Sequence, residues 1–326
     1  MSKDIFVFIE CKEGVVRKAS FELLSKAKEL NEGTSSDSYA VLIGSNVKHT
    51  AEELRAYADK IIIVDKDILE EYRWDTYTHV MEHLIIKYNP RMVFGASTVT
   101  GKDLFPRLAA RLDAPIVSDA IGIVSEGEDT KIKKPLFGGK IISWVAFRGG
   151  KTAFVTFRPN TFSIEKKILN GEIIEETVDL QKDTRMNVLG IQKAGTNKID
   201  LQEADFIICG GRGMKDPDNF RTLEEIADIM GGRAGASRAV VDAKWRDYDD
   251  QIGKSGKTVS PKLYIGCGIS GALHHTMGMD TSKVIVAINK DPNAPIFQYA
   301  DYGIVDDIFN ILPVLKGELK KTKEEL

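Results

Sequence analysis

From its start the chain alternates short runs of consecutive apolar residues with longer stretches in which apolar residues recur every three or four positions. Residues 4–10 (DIFVFIE), 39–44 (YAVLIG), 60–65 (KIIIVD) and 91–97 (RMVFGAS) are of the first kind and predict strands buried on both faces. Between them, residues 16–30 place Ala19, Leu23, Ala27 and Leu30 on one helical face. Residues 50–58 predict a helix begun by Thr50, residues 74–89 a helix that stops before Pro90, and residues 101–113 a fourth helix. This β–α order implies a parallel sheet covered by helices on both faces. Residues 140–159 break the pattern. Apolar and polar residues alternate on either side of Arg148-Gly149-Gly150, which predicts a hairpin adding antiparallel strands to the sheet.

A polar, aperiodic stretch follows, and then the strand-and-helix pattern resumes. The boundaries drawn from it are an N-terminal α/β domain over residues 1–185, a linker over 186–200 and a C-terminal domain over 201–326. In the second half, residues 204–213 (ADFIICGGRG), 262–271 (KLYIGCGISG) and 283–292 (KVIVAINKDP) each predict a strand running into a polar or glycine-rich loop. Residues 219–232 predict a helix closed by glycines, and residues 236–242 (ASRAVVD) a short connection or strand. Residues 302–319 predict a short strand and then a helix beginning near Asp306 and Asp307, after which KKTKEEL is expected to fray. The fold class is α/β with two domains, which 326 residues are enough to fill with two cores.

Charge and composition narrow the function by exclusion. A net charge of −3 gives no global field favouring nucleic acid or an anionic membrane. The opening MSKDIFVFIE lacks a basic segment followed by a long apolar core, so no signal peptide is expected. No run approaches the roughly 20 apolar residues of a membrane helix, so the chain is not expected to be an integral membrane protein. Cys11, Cys209 and Cys267 are too far apart for a disulfide framework or a CxxC metal knuckle. They are expected to be buried thiols in a reducing, cytoplasmic compartment.

Candidate chemistry gathers at three predicted strand ends of the second half, where an open parallel sheet binds its ligands. The GGRG loop lets a ligand approach the backbone closely and offers Arg212 to a phosphate. The GISG loop is expected to open a helix at Ser270 whose N-terminus attracts an anion. INKDP supplies Asn289, Lys290 and Asp291. These loops describe a split dinucleotide site, without a GxGxxG fingerprint; the same glycines also serve tight turns. His274 and His275 follow the second loop. No third His or Cys stands at ligand spacing and no HExxH is present, so no metal site is expected. What the pattern leaves is a histidine presented to the ligand as a hydrogen-bond donor or cation, or two polar surface residues.

The stretches ADFIICGGRGMKDPDNF, GASRAVVDAKW, QIGKSGKTVSPKLYIGCGISGALHH and GMDTSKVIVAINKDPNAPIFQYADYGIVDDIFNILPVL resemble, in that order, the C-terminal domain of the alpha subunit of electron transfer flavoproteins. GASTVTGKDLFPRLAARLDAPIVSDA extends the resemblance into the first half, so that it covers nearly the whole chain. It implies a nucleotide-hydrolase-like parallel-sheet N-terminal domain pairing with a beta subunit, and a Rossmann-like C-terminal domain carrying one FAD. The beta subunit would hold AMP in the simple carriers or a second FAD in the electron-bifurcating ones. Residue by residue, Arg212 matches a contact to the FAD pyrophosphate. Ser237 matches a phosphate-side hydroxyl, and Arg238 the arginine lying against the isoalloxazine ring. The loop Gln251, Ile252, Gly253, Lys254 and Ser255 (QIGKS) matches one usually read QVGQT, whose final hydroxyl approaches flavin N5, so that role falls to Ser255. Lys254 departs from the family's glutamine. Gly268, Ser270, Gly271, Ala272 and Leu273 match the loop before the flavin-facing histidine. That histidine is His275, near N1 and O2, while His274 replaces a glutamine. Asn289 and Asp307, with Ile308 beside it, match the adenosine side. Arg238, Ser255 and His275 are the residues expected to tune the flavin.

The resemblance further implies electron exchange with an acyl-CoA dehydrogenase-type flavoenzyme. Lys254, His274 and residues 244–251 (KWRDYDDQ) resemble the bifurcating branch, in which NADH is oxidised through the beta subunit and ferredoxin or flavodoxin is a candidate acceptor. The other version is a simple one-electron shuttle. Two further classes stand beside the carrier: an NAD(P)-dependent Rossmann-like enzyme module, which would purify colourless, and a scaffold that has lost its flavin.

Overall fold

The computed structural model of the chain describes residues 3–126, 129–166, 170–180, 186–190 and 199–325. Two compact units emerge, Met1–Ala194 and Gly195–Leu326. Much of the 186–200 stretch expected to link them lies outside the described residues.

In the first unit, strands β1 (Ile5–Ile9), β2 (Ser38–Gly44), β3 (Lys60–Asp65) and β4 (Met92–Ala96) alternate with helices α1 (Lys18–Leu30), α2 (Lys48–Leu54), α3 (Trp74–Tyr88) and α4 (Val99–Arg111). Every residue of β1 is buried, and its period of two divides it between two layers. Ile5, Val7 and Ile9 join Leu23, Leu24 and Ala27 of α1 in one core; Phe6 and Phe8 join Tyr77 and Leu84 of α3 and Phe105 of α4 in the other. Each such side chain contributes about 1.5–3 kcal/mol by leaving water. The helix α3 ends where Asn89 turns left-handed, at φ 48°, immediately before Pro90.

The hairpin expected over residues 140–159 does not form. Strand β8 (Ile141–Ala146) pairs antiparallel with β7 (Asp129–Leu136), which pairs with β6 (Gly122–Glu126) in a separate three-stranded sheet. Strand β9 (Ala153–Phe157) instead enters the large sheet, parallel to and between β4 and β5 (Ile116–Ala120). The reason is burial. AFVTF is nearly all apolar and is buried at every position, as a central strand requires, whereas β8 alternates and leaves Ile141, Ile142 and Trp144 about half exposed. With β10 (Glu172–Glu175) at its edge, the seven-stranded sheet runs β10-β3-β2-β1-β4-β9-β5, every pair parallel.

The second unit is a six-stranded parallel sheet. Its strands are β11 (Phe206–Gly210), β12 (Arg233–Ser237), β13 (Gln251–Ile252), β14 (Leu263–Cys267), β15 (Val284–Asn289) and β16 (Tyr302–Val305), in the spatial order β13-β12-β11-β14-β15-β16. The chain builds outward from β11 in one direction and from β14 in the other, so the order reverses between these two strands. That switch point is where loops open into a crevice. Helix α5 (Phe220–Met230) closes on Gly231 at φ 63°, as the glycines predict. Residues 236–242, expected as a connection or strand, divide into the end of β12 and one turn of helix, α6 (Arg238–Asp242). Among the described residues the C-terminal stretch does not fray after 319: α8 (Ile308–Glu325) runs on to residue 325. Cys209 and Cys267 are buried free thiols, and burial pushes Cys209 up to about 12; Cys11 is only partly covered. No helix among the described residues is long and apolar enough to cross a membrane.

Candidate functional site

Outside the carboxyl ends of the second unit's strands lies a cleft of about 500 Å³, within the usual range for small-ligand sites. Two glycine loops close its floor. The Gly213 amide donates to the Gly268 carbonyl at 3.1 Å, and the Gly211 amide to that of Cys267 at 2.9 Å. Gly268 has φ +62°, and a Cβ there would sit 2.7 Å from the Gly213 Cα. The loops therefore touch backbone to backbone at the switch point, which only glycine permits. Arg212 stands exposed beside them and makes no ion pair among the described residues.

The cleft gathers most of the residues singled out from sequence: Arg212, Ser237 and Arg238; Ile252, Gly253 and Ser255; Gly268, Ser270, Ala272, His274 and His275; and Asn289. Seven others do not line it, Lys290 among them. Gln251 is buried behind the loop and donates from Nε2 to Ser255 Oγ at 3.1 Å. The exposed Lys254 contributes its amide, which donates to the His274 carbonyl at 2.7 Å. Gly271 packs on the Ile296 backbone, and Leu273 faces solvent. Asp307 caps α8 by accepting from the Phe309 amide at 3.1 Å and pairs with Lys215 at 3.4 Å; Ile308 is in the core.

Asp291 of the INKDP loop and Gly211 of the GGRG loop line it too, and the wall also holds residues the sequence reading missed, among them Asp242, Ala294 and Pro295. Asp242 pairs with Arg238 at 3.2 Å. Their i,i+4 spacing was available as a signal, but only to a reading that placed residues 238–242 on a helix. Asn289, expected on the adenosine side, is tied into the wall: its Nδ2 donates to the Ile269 carbonyl at 2.8 Å, and its Oδ1 accepts from the Asp291 amide at 3.0 Å.

One expectation fails. The GISG loop was to open a helix whose dipole draws an anion, but α7 (Leu273–Thr276) is a single turn. A macrodipole needs a longer run of aligned peptides, so attraction of an anion here rests on loop amides and Arg212.

Of the two histidines, His274 is exposed and His275 is buried. His275 Nε2 lies 2.8 Å from the Tyr264 hydroxyl, and its Nδ1 is buried with no side-chain hydrogen-bond partner among the described residues. Burial pushes its pKa down to about 4, offset in part by the nearby backbone of Ile252. At neutral pH it is therefore an uncharged imidazole, which favours the donor role over the cationic one. Behind the loop, Asp250 accepts from Arg233 at 2.7 Å and from Arg246 at 2.7 Å, and Arg246 reaches Glu224 at 2.8 Å.

Residues 200–280 match the electron transfer flavoprotein FAD-binding domain, and residues 5–197 the electron transfer flavoprotein domain. The electron transfer flavoprotein subunit alpha of Thermoanaerobacterium thermosaccharolyticum is 40% identical over 98% of this chain and 99% of its own length. The chain belongs to the electron transfer flavoprotein alpha-subunit family. The subunit alpha of Bacillus subtilis is likewise 40% identical, over 98% of both chains. The acryloyl-CoA reductase electron transfer subunit beta of Anaerotignum propionicum is 34% identical over 98% of this chain and 96% of its own.

The cleft fits the FAD of an electron transfer flavoprotein on its own features. It combines a backbone cradle with no room for Cβ atoms, a guanidinium at its edge that makes no ion pair among the described residues, and the largely buried His275 imidazole in its wall. A dinucleotide asks for each of these: close approach at the phosphates, a cation, and a donor for ring heteroatoms.

Proposed function

We propose that this alpha subunit holds one FAD in the cleft of its C-terminal unit and pairs through its N-terminal unit with a beta subunit. The heterodimer passes electrons between acyl-CoA dehydrogenase-type flavoenzymes and other redox partners in the cytoplasm. The beta subunit carries a second FAD, and the complex bifurcates electrons from NADH, with ferredoxin or flavodoxin as the low-potential acceptor. The observation that carries the FAD assignment is the convergence of Arg212, Arg238, Ser255 and His275 on one switch-point cleft.

When bound, FAD supplies a ring that takes up and gives up electrons. The chain's own groups set how readily. Arg212 would hold the pyrophosphate and Ser237 would make a phosphate-side contact. Ser255 receives the Gln251 amide at its oxygen, which leaves its O–H free to donate toward N5. His275 would set its imidazole by N1 and O2, and Arg238 would add positive charge beside the ring. Reduction brings negative charge onto the ring, and a charge-assisted hydrogen bond is worth roughly 1.5–3 kcal/mol. At about 1.4 kcal/mol per 59 mV for one electron, a single donor moves a potential by tens of millivolts to roughly 100 mV.

Pairing with a beta subunit is supported by the relatives' names as subunits and by the apolar surface of β8, where Ile141, Ile142 and Trp144 are about half exposed. An acyl-CoA-type partner is supported by the name of the Anaerotignum propionicum relative. Lys254, His274 and residues 244–251 support the bifurcating branch. The test is nucleotide content: the chain is produced with its beta subunit, the complex is denatured, and FAD and AMP are counted. Two FAD per heterodimer upholds bifurcation. One FAD with one AMP makes the complex a simple one-electron shuttle and removes Lys254 and His274 as branch markers. A colourless preparation holding NAD(P) overturns the carrier reading.

A further inference from the structure

We infer that Tyr264 is a positioning residue for His275: its buried hydroxyl donates to Nε2, so that the imidazole keeps its single proton on Nδ1.

Tyr264 lies in β14 with its side chain wholly buried, and its hydroxyl is 2.8 Å from His275 Nε2. A phenol removed from water needs an acceptor for its proton. Two neighbours are in reach, the imidazole nitrogen and the Cys209 thiol, which also stands beside the hydroxyl. A thiol sulfur is a weak acceptor and an imidazole nitrogen a strong one. Burial raises the Tyr264 pKa well above its ordinary value, so the hydroxyl keeps its proton. His275 is neutral near pH 7, so it has one ring proton to place.

The opposite arrangement satisfies fewer groups. With the proton on Nε2, the Tyr264 hydroxyl is left only the thiol. The buried Nδ1 then holds a lone pair to which no described residue donates. With the proton on Nδ1, the phenol and Nε2 are matched, and the Nδ1–H has the nearby backbone of Ile252, which favours a ring proton. A solvated histidine favours the Nε2–H form, so the Nδ1–H form needs a device to hold it, and the phenol behind the ring is that device. The tautomer follows from the protein alone; its effect on potential rests on the proposed FAD site.

The test uses the intact heterodimer labelled with ¹⁵N-histidine. Long-range ¹H–¹⁵N correlation spectra identify which ring nitrogen carries the proton, and the His275 signals are assigned by their loss in His275→Gln. We expect the Nδ1–H pattern, without titration between pH 6 and 8. In Tyr264→Phe, which removes one oxygen, the pattern shifts toward Nε2–H while FAD content holds. The one-electron reduction equilibrium then falls about tenfold, a shift of about 59 mV to lower potential. An Nε2–H pattern in the wild-type complex overturns the inference, and so does a Tyr264→Phe complex whose tautomer and potential match wild type. If Tyr264→Phe fails to fold, the wild-type spectrum decides alone. Absence of FAD from the wild-type complex would sink the proposed site without touching the tautomer result.

Discussion

Gly253 and Gly278 meet backbone to backbone: a Cβ built on Gly278 would lie 2.5 Å from both the Cα and the amide nitrogen of Gly253. Beside this contact the Lys254 amide donates to the His274 carbonyl at 2.7 Å. Ser255 and His275, twenty residues apart in sequence, are thereby set on one frame. For Gly278→Ala the clash is with backbone, which has no rotamer to change. We expect a loss of about 1–3 kcal/mol and at least tenfold weaker FAD retention, read by chemical denaturation and by flavin lost on gel filtration. Wild-type behaviour in both would show that the contact does not hold the loop.

Arg238 and Asp242 form an exposed ion pair at 3.2 Å, each side chain more than 60% exposed. Such pairs contribute about 0–1 kcal/mol, so Arg238→Ala leaves the denaturation midpoint nearly unchanged. If FAD occupies the cleft as proposed, this charge lies beside the ring, and the potential of the first electron falls by tens of millivolts in Arg238→Ala. Asp242→Asn, which frees the guanidinium, shifts the potential upward. Redox titrations indistinguishable from wild type in both variants would reject a tuning role for the pair.

His275 gives the stability a pH dependence. Its folded pKa of about 4 lies below the ordinary value of 6.5. Between those values the unfolded chain binds more protons than the folded one, so stability rises with pH across the window. The contribution is fully present above pH 6.5 and is lost as pH falls toward 4. It amounts to about 3 kcal/mol. Urea midpoints from pH 4.5 to 7 should show this slope in the wild type and a flatter one in His275→Gln. Equal slopes would assign the dependence to other groups.

Asp250, 7% exposed, holds Arg233 and Arg246 at 2.7 Å each. Asp250→Ala leaves two largely buried guanidinium groups short of a partner, at a cost of about 3–5 kcal/mol. The loop carrying Ser255 begins at the next residue, so FAD retention should fall with stability. A variant as stable as wild type would mean that water replaces the carboxylate.

Trp144 is about half exposed on β8. If this surface meets the beta subunit, Trp144→Glu weakens heterodimer formation at least tenfold by sedimentation while the chain's own melting temperature holds. An unchanged dissociation constant would place the interface elsewhere.

The strands and helices of the first unit up to Arg111 were legible because a local signal decides them. IFVFI is apolar throughout, the helices repeat every three or four residues, and Pro90 stops α3. Residues 140–159 misled for the opposite reason. Alternation around two glycines signals a hairpin, but whether AFVTF pairs with its sequence neighbour or slots between β4 and β5 depends on a vacancy made by residues far away. The one-turn α6 was illegible because five residues carry no periodicity, and Asp242 was missed with it.

The sequence by itself determined the fold class, the family and the three loops that supply the site, because burial pattern and motif order are properties of the chain read locally. Only the tertiary structure decided which nitrogen of His275 is engaged, that His274 faces solvent, that α7 is too short for a dipole, and that Gly253 rests on Gly278. Those facts depend on distances between residues remote in the chain. Burial, protonation and hydrogen-bond choice are set by what surrounds a group in space, not by its sequence neighbours.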